Sequence, residues 1–149
     1  EPLDWIGQEI DLIRRAFDQD IPMMGICFGG QLISKALGGR VTRSAVGMEI
    51  GWHPLRKVPG QACDQWLAGL PDEINTFHWH GETFDLPPET ELLASTESYE
   101  NQAFAVGRSL ALQFHPEVTH TRLREIIVAE LEHLRGERAS GKLSGGRLL

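Results

Sequence analysis

The chain is poor in cysteine: 149 residues hold 2, Cys27 and Cys63. Two thiols do not build a disulfide framework, and a thiol that serves as a nucleophile must stay free, which fits a reducing, cytoplasmic setting. Excess positive charge is missing as well. With 14 Lys and Arg against 21 Asp and Glu the net charge is −7, so the basic patch wanted by nucleic acid or an anionic membrane surface is not expected. No apolar run approaches the length of a membrane span, no signal-peptide pattern is present, and no segment repeats. What remains is an ordinary globular composition, 41% hydrophobic and 23% charged, enough for one domain with a real core. The chain opens on Glu1-Pro2 and runs at once into a helical pattern, so the N-terminal part of a larger domain is expected to be missing.

The chemistry gathers first at residues 22–33. Met23 to Ile26 reads as a short buried parallel strand, and from Gln31 the period changes, with Leu32, Ile33, Ala36 and Leu37 at helical spacing until Gly38-Gly39. Cys27 lies at the junction. Gly25-Ile26-Cys27-Phe28-Gly29 has the form of a nucleophile elbow, a sharp strand-to-helix turn that lifts the side chain above a helix N-terminus. There the unpaired N–H groups and the positive dipole end favour a thiolate. Gly25 and Gly29 are expected to be structural, flanking the turn where side chains would collide and taking angles closed to other residues. A free Cys between a strand and a helix also serves as a small buried hydrophobe.

The second gathering is Gln113-Phe114-His115-Pro116-Glu117. Pro116 keeps His115 out of the helical region, and in an extended segment residues two apart face one way, so Glu117 is expected to reach the His115 imidazole. An imidazole that takes a thiol's proton, oriented by a carboxylate, activates a cysteine. The plainer alternative is that the pair ends a strand and caps the next helix, with Thr119 or Thr121 also available as caps.

Around these two segments the pattern alternates. Leu3, Ile6, Ile10, Ile13 and Phe17 mark an amphipathic helix over roughly residues 4–17, with Asp4 as N-cap. Residues 40–44, 48–58, 74–80, 92–95, 102–106 and 110–114 read as strands, with a short helical patch at Trp66, Leu67 and Leu70. A second long helix is expected from Thr121, with Leu123, Ile126, Ile127, Leu131 and Leu134 on one face. The start looks parallel and the middle antiparallel, giving a mixed α/β sheet.

Taken together, residues 25–31 and 113–117 resemble a class I (triad-type) glutamine amidotransferase. Glu49-Ile50-Gly51-Trp52, Phe77-His78-Trp79-His80-Gly81-Glu82-Thr83-Phe84 and Asn101-Gln102-Ala103-Phe104 resemble its stand-alone, GMP synthase-like branch. The likeness spans about residues 5–134. It implies a mixed, mainly parallel sheet flanked by helices in a flavodoxin-like three-layer arrangement. Residues 1–136 would be a partial amidotransferase domain, N-terminally truncated, and residues 137–149 a loose tail. By the same resemblance Cys27 attacks the side-chain amide of L-glutamine, forming a γ-glutamyl thioester and releasing ammonia. His115 acts as base and then acid, and Glu117 orients it. Gln31 helps hold the substrate, backbone groups at His80, Gly81 and Glu82 hold its α-amino and carboxylate ends, and the Phe28 N–H is one oxyanion donor. The resemblance calls for no cofactor and for an ammonia acceptor or synthetase partner. The family's first strands and glycine-rich loop, which carry the second oxyanion donor, have no counterpart here, and the loss of such a donor costs ~10²–10³ in rate.

Two other readings stay open: a γ-glutamyl peptidase or hydrolase with the same triad, and a non-catalytic amidotransferase-like module that binds a partner. His78, His80 and Glu82, with His115, also form a metal-like pattern, but no Cys pair or helical His-Glu-x-x-His accompanies it, and no metal is expected. Residues 136–142 imitate a P-loop, with Leu143 where Ser or Thr would hold magnesium. Cys63 lies in a polar stretch without an elbow and is read as incidental.

Overall fold

An apolar residue at every third or fourth position gives one stripe along a helix, and that stripe folds as α1 (Asp4–Asp18). The computed structural model describes residues 4–128. Ile10 of α1 is buried, and Ile6, Ile13 and Phe17 are half-buried around it. Asp4 is the first helical residue rather than a cap outside the helix. The order continues β1 (Met23–Ile26), α2 (Phe28–Ala36), β2 (Val41–Arg43), β3 (Glu49–Lys57), α3 (Gln61–Trp66), β4 (Glu73–His80), β5 (Glu82–Phe84), β6 (Glu91–Ser95), β7 (Ala103–Val106) and β8 (Ser109–Leu112).

Six of these strands form a mixed sheet in the order β1-β8-β7-β6-β3-β4, and β2 pairs with β5 in a separate ribbon. The mixed sheet with flanking helices is as expected, but its balance is not. Among the described residues only β1 and β8 run parallel, in register from Met23↔Ser109 to Ile26↔Leu112. The pairs β3–β4, β3–β6, β6–β7 and β7–β8 are antiparallel. Connection length explains the correction, since a parallel neighbour needs a long crossover whereas β7 turns into β8 through Gly107 and Arg108 alone. Gly107 takes a φ of 54° in that turn, a left-handed angle that suits glycine.

Both faces of the sheet are covered. On one face Ala103, Ala105, Leu110 and Leu112 pack with Leu55, Leu93 and Phe114 and with Ala62, Cys63 and Trp66 of α3. On the other, Phe104, Val106 and Ala111 pack with Ile33, Phe84 and Phe17, beneath α1 and α2. Alternate residues therefore go to opposite cores, so β7 and β8 read as unbroken apolar runs, AFAV and SLAL. The short helix lies earlier than its expected position at residues 66–70. Ala62, Cys63 and Trp66 share one face of α3, so Cys63 is a core residue, 3% exposed, rather than part of a polar surface stretch.

The chain divides into two compact units between His115 and Pro116. In the second, residues 116–117 form a turn and residues 120–128 are helical. Thr119 caps that helix. Its hydroxyl accepts from the Arg122 N–H at 3.1 Å and its carbonyl from the Leu123 N–H at 2.8 Å. Leu131, Leu134 and the expected tail at 137–149 lie outside the described residues. Among the described residues no helix is long and apolar enough to cross a membrane.

Candidate active site

Cys27 sits between β1 and α2 with φ 51° and ψ −107°, an angle pair that a residue with a side chain rarely adopts. Such a conformation costs about 1–3 kcal/mol and persists only where the surroundings hold it. Here the Cys27 N–H donates to the Leu112 carbonyl at 2.7 Å, tying the elbow to the end of β8. The Cys27 carbonyl accepts the first bond of α2, from the Gln31 N–H at 3.1 Å. The Cys27 side chain makes no capping bond to the first-turn N–H groups of α2.

The glycines around the elbow divide differently from the expectation. A Cβ at Gly25 would lie 2.5 Å from the Gly29 carbonyl group, and one at Gly30 would lie 2.7 Å from the Leu112 oxygen. Both are backbone contacts that cannot yield. Gly29, expected to be structural, would meet nothing within 4 Å. The left-handed backbone angle falls on Cys27 itself rather than on Gly25 or Gly29.

Sheet topology brings the other groups to the sulfur. β1 and β4 stand at opposite ends of the strand order, yet the Trp79 carbonyl oxygen of β4 is 4.0 Å from Cys27 Sγ. The sheet therefore curls until the outer edge of its last strand reaches the elbow. Two residues back on that edge, the Phe77 carbonyl accepts from the His115 N–H at 2.8 Å in an isolated bridge. The Phe77 and His115 rings lie 6.4 Å apart. Alternate carbonyls of β4 thus face the two segments that the sequence marks for chemistry. The chain is not extended through Glu117, however. Residues 116–117 turn, so the same-side argument for His115 and Glu117 does not apply. Glu117 is exposed in that turn and opens the second unit.

The remaining expected residues fall in distinct surroundings. Phe28 is 45% exposed and packs edge-on against Trp5 at 5.9 Å. Gln31 is buried, and its Nε2 donates to Gln113 Oε1 at 3.2 Å. The Gly81 carbonyl accepts from the Ser44 N–H at 3.0 Å, and the exposed Glu82 lies on β5 opposite Arg43. A cleft of about 440 Å³ opens here, lined by Arg43, Ser44, Gly47, Met48, Gly81 and Glu82.

His80 is different, because its side chain points into the core. Its Nδ1 donates to the Glu82 carbonyl at 3.0 Å, and its Nε2 lies 3.1 Å from Glu49 Oε2. His78 Nδ1 is also 3.1 Å from that oxygen, at ion-pair distance but off the line of a straight hydrogen bond. Gln102 Nε2 donates to the same oxygen at 2.6 Å, and the Thr96 hydroxyl donates to Glu49 Oε1 at 2.8 Å. Burial alone would raise the Glu49 carboxyl. The nearby His78 and His80 imidazoles and the Thr96 hydroxyl outweigh it and hold the group well below the usual carboxylate range.

The carboxylate that meets the paired histidines is therefore Glu49, and not Glu82 as the metal-like pattern suggested. The ligand atoms of Glu49, His78 and His80 lie within 4.8 Å of one another, a donor set that suits zinc chemistry. Protein donors from Gln102 and Thr96 already bind both oxygens of this carboxylate. Sequence reasoning missed Glu49 and Gln113 as site-building residues. Both stood inside quoted motifs, and a buried acid or amide can be recognised only once its partners are known.

Comparison with known proteins points one way. The family model described as Glutamine amidotransferase class-I matches residues 1–133. The chain is 38% identical over 112 residues to a GMP synthase [glutamine-hydrolyzing] of Thermomicrobium roseum, covering 74% of this chain and 20% of that protein. It is 32% identical over 128 residues to gamma-glutamyl peptidase 4 of Arabidopsis thaliana, covering 83% and 51%. Among solved structures, a glutamine amidotransferase from Thermotoga maritima superposes with a TM-score of 0.78 at 36% identity, over 91% of this chain and 58% of that one. The chain spans between a fifth and about half of the length of these two curated relatives.

Proposed function

The chain belongs to the class I glutamine amidotransferases, and we propose that it hydrolyses the side-chain amide of L-glutamine through a thioester on Cys27. The observation that carries this reading is the elbow: a cysteine at φ 51° whose next residue begins a helix. In the first step the Cys27 S–H bond breaks, the proton passes to the His115 imidazole, and the sulfur attacks the amide carbon. His115 then returns the proton to the leaving nitrogen, the C–N bond breaks, and ammonia departs. Water activated by the same imidazole cleaves the thioester and restores the thiol. Glu117 is the carboxylate that orients His115, and the Phe28 N–H in the first turn of α2 is an oxyanion donor.

The α-amino and carboxylate ends of glutamine are assigned to the backbone at His80, Gly81 and Glu82. The adjoining cleft carries one basic and one acidic side chain, Arg43 and Glu82, which suits a zwitterion. The released ammonia goes to an acceptor, by way of a synthetase partner. A γ-glutamyl peptidase is the second reading, favoured by the 32% identity to such an enzyme across 83% of the chain. The same thioester would form, with an amine other than ammonia leaving.

Ammonia release from L-glutamine, measured beside hydrolysis of γ-glutamyl dipeptides, separates the two. Intact mass after exposure to a diazoketone glutamine analogue, on wild type and Cys27→Ser, tests the nucleophile directly. An adduct on the wild type alone is expected. Equal labelling of both proteins would overturn the assignment of Cys27.

A further inference from the structure

We propose that Gln113 is a further catalytic residue, a hydrogen-bond donor that holds the Cys27 sulfur as an anion ready to attack, and that Gln31 is the positioning residue that aims it. This inference rests on the reading of Cys27 as the nucleophile. Gln113 Nε2 lies 3.7 Å from Cys27 Sγ, at the reach of an N–H to sulfur contact. Gln113 is 0% exposed, and its backbone N–H donates to the Gln102 carbonyl at 2.8 Å, so its position is set by the core.

A carboxamide has one donor end and one acceptor end, and what holds one end decides where the other points. Here Gln31 Nε2 donates to Gln113 Oε1 at 3.2 Å. With its oxygen committed to Gln31, the Gln113 amide presents its N–H groups to the sulfur. Gln31 is itself 5% exposed and stands one helical turn after Cys27, with its backbone N–H on the Cys27 carbonyl. Elbow, helix and strand end are thus cross-linked by a two-amide relay. Reversing both amides would place a carbonyl oxygen against the sulfur, which suits only a neutral thiol.

The sulfur therefore sees two kinds of partner. The Trp79 carbonyl, 4.0 Å away, accepts from the S–H of the neutral thiol. The Gln113 N–H serves the thiolate, where a charge-assisted bond is about twice as strong as a neutral one. Once the S–C bond forms the sulfur is neutral and the bond weakens, so the amide supports the attacking state and not the thioester. No proton passes through Gln113. The proton of the thiol goes to His115, as in the proposed reaction.

The test is the rate of Cys27 alkylation by iodoacetamide in the full chain, followed by mass from pH 5.5 to 9.5. Thermal unfolding and glutaminase kcat and KM are recorded in parallel. Gln113→Glu keeps the shape and removes the donor. It is expected to slow alkylation at pH 7 about tenfold or more and to move the whole profile upward by about one pH unit. Gln31→Glu removes the donor that holds Gln113 Oε1, so the Gln113 amide turns its N–H groups away from the sulfur, and the profile shifts in the same direction. Gln113→Leu, which removes the donor without adding a charge, is read in the same way should the buried acid prevent folding. A residue that was only structural would lower the unfolding temperature and leave the profile in place. Profiles of the Gln113 variants that superimpose on wild type would overturn the inference. Failure of the wild type to form a Cys27 adduct with the glutamine analogue would instead remove the nucleophile reading beneath it.

Discussion

Deleting the Glu49 carboxylate should be among the costly single changes in this fold away from the elbow. Glu49 is 4% exposed and its two oxygens meet Thr96, Gln102, His78 and His80, all of them buried. Glu49→Ala takes from the Thr96 hydroxyl, one Gln102 N–H and the His80 imidazole the carboxylate they bond, and from His78 its ion-pair partner. Each stranded donor costs about 1–3 kcal/mol, but the sum overshoots because one admitted water satisfies several of them. Removing the carboxylate from a buried, charge-assisted hydrogen-bond network costs about 3–5 kcal/mol, which is the magnitude expected here. For a chain of 149 residues that corresponds to a fall in Tm of roughly 10 °C or more.

Glu49→Gln should recover less than half, since its new NH₂ faces the donors of Gln102 and the imidazoles. The pH dependence adds a second requirement. The folded carboxyl is held below its usual value of 4.5, so its contribution is complete above that pH. It is lost as pH falls from there through the folded value, by about 1.4 kcal/mol per unit. Urea unfolding of wild type and Glu49→Ala at pH 7 and pH 3.5 measures both effects, and the gap between the two proteins should narrow on acidification. A loss under 1 kcal/mol at pH 7, or a gap that does not change with pH, would refute the account of this network.

Gly30→Ala forces a Cβ to 2.7 Å from the Leu112 oxygen and should destabilise by about 1–3 kcal/mol. Gly29→Ala, with open space and a helical position, should be neutral or stabilise by up to about 1 kcal/mol, and a reversed order in chemical denaturation would sink the elbow packing described above. Cys27→Ala should abolish glutamine hydrolysis while Cys63→Ala leaves it. Burial pushes the Cys63 thiol up, so under native conditions alkylation should mark Cys27 and reach Cys63 only on unfolding. Leu93→Ala, at a fully buried core position, should cost about 2–5 kcal/mol in urea without changing the Cys27 alkylation profile.

Local chemistry made part of this protein legible before any fold was known. The strand at Met23–Ile26 was readable because a short apolar run changes to helical period at once, and the cysteine at the junction followed from it. The amphipathic stripe of α1 was readable because side-chain period is set by backbone geometry within a few residues, and β7 and β8 because a strand buried on both faces is a short unbroken apolar run. The apolar Trp66, Leu67 and Leu70 draw the helical pattern toward residues 66–70, whereas α3 forms at Gln61–Trp66, where Ala62 and Cys63 meet the core. The burial of Cys63 depends on β6 and β8, which the local sequence cannot announce.

The tertiary structure decided what lies beyond that range. It turned most of the sheet antiparallel by making its connections short, and it moved the steric need for glycine from Gly29 to Gly30 by laying Leu112 against the elbow. It also ended the extended segment at His115, where a turn at residues 116–117 removes the alternation that the sequence argument assumed. Glu49 came to the histidines through the β3–β4 register, Glu49↔His80. Gln113 came to Cys27 because β8 and β1 run in parallel and end together. Period and turn chemistry act over a few bonds, so the chain alone determines which residues form an element and which face they share. Residues 79 and 113 reach Cys27 and Gln31 only through strand order and sheet curl, which no local stretch of the sequence contains.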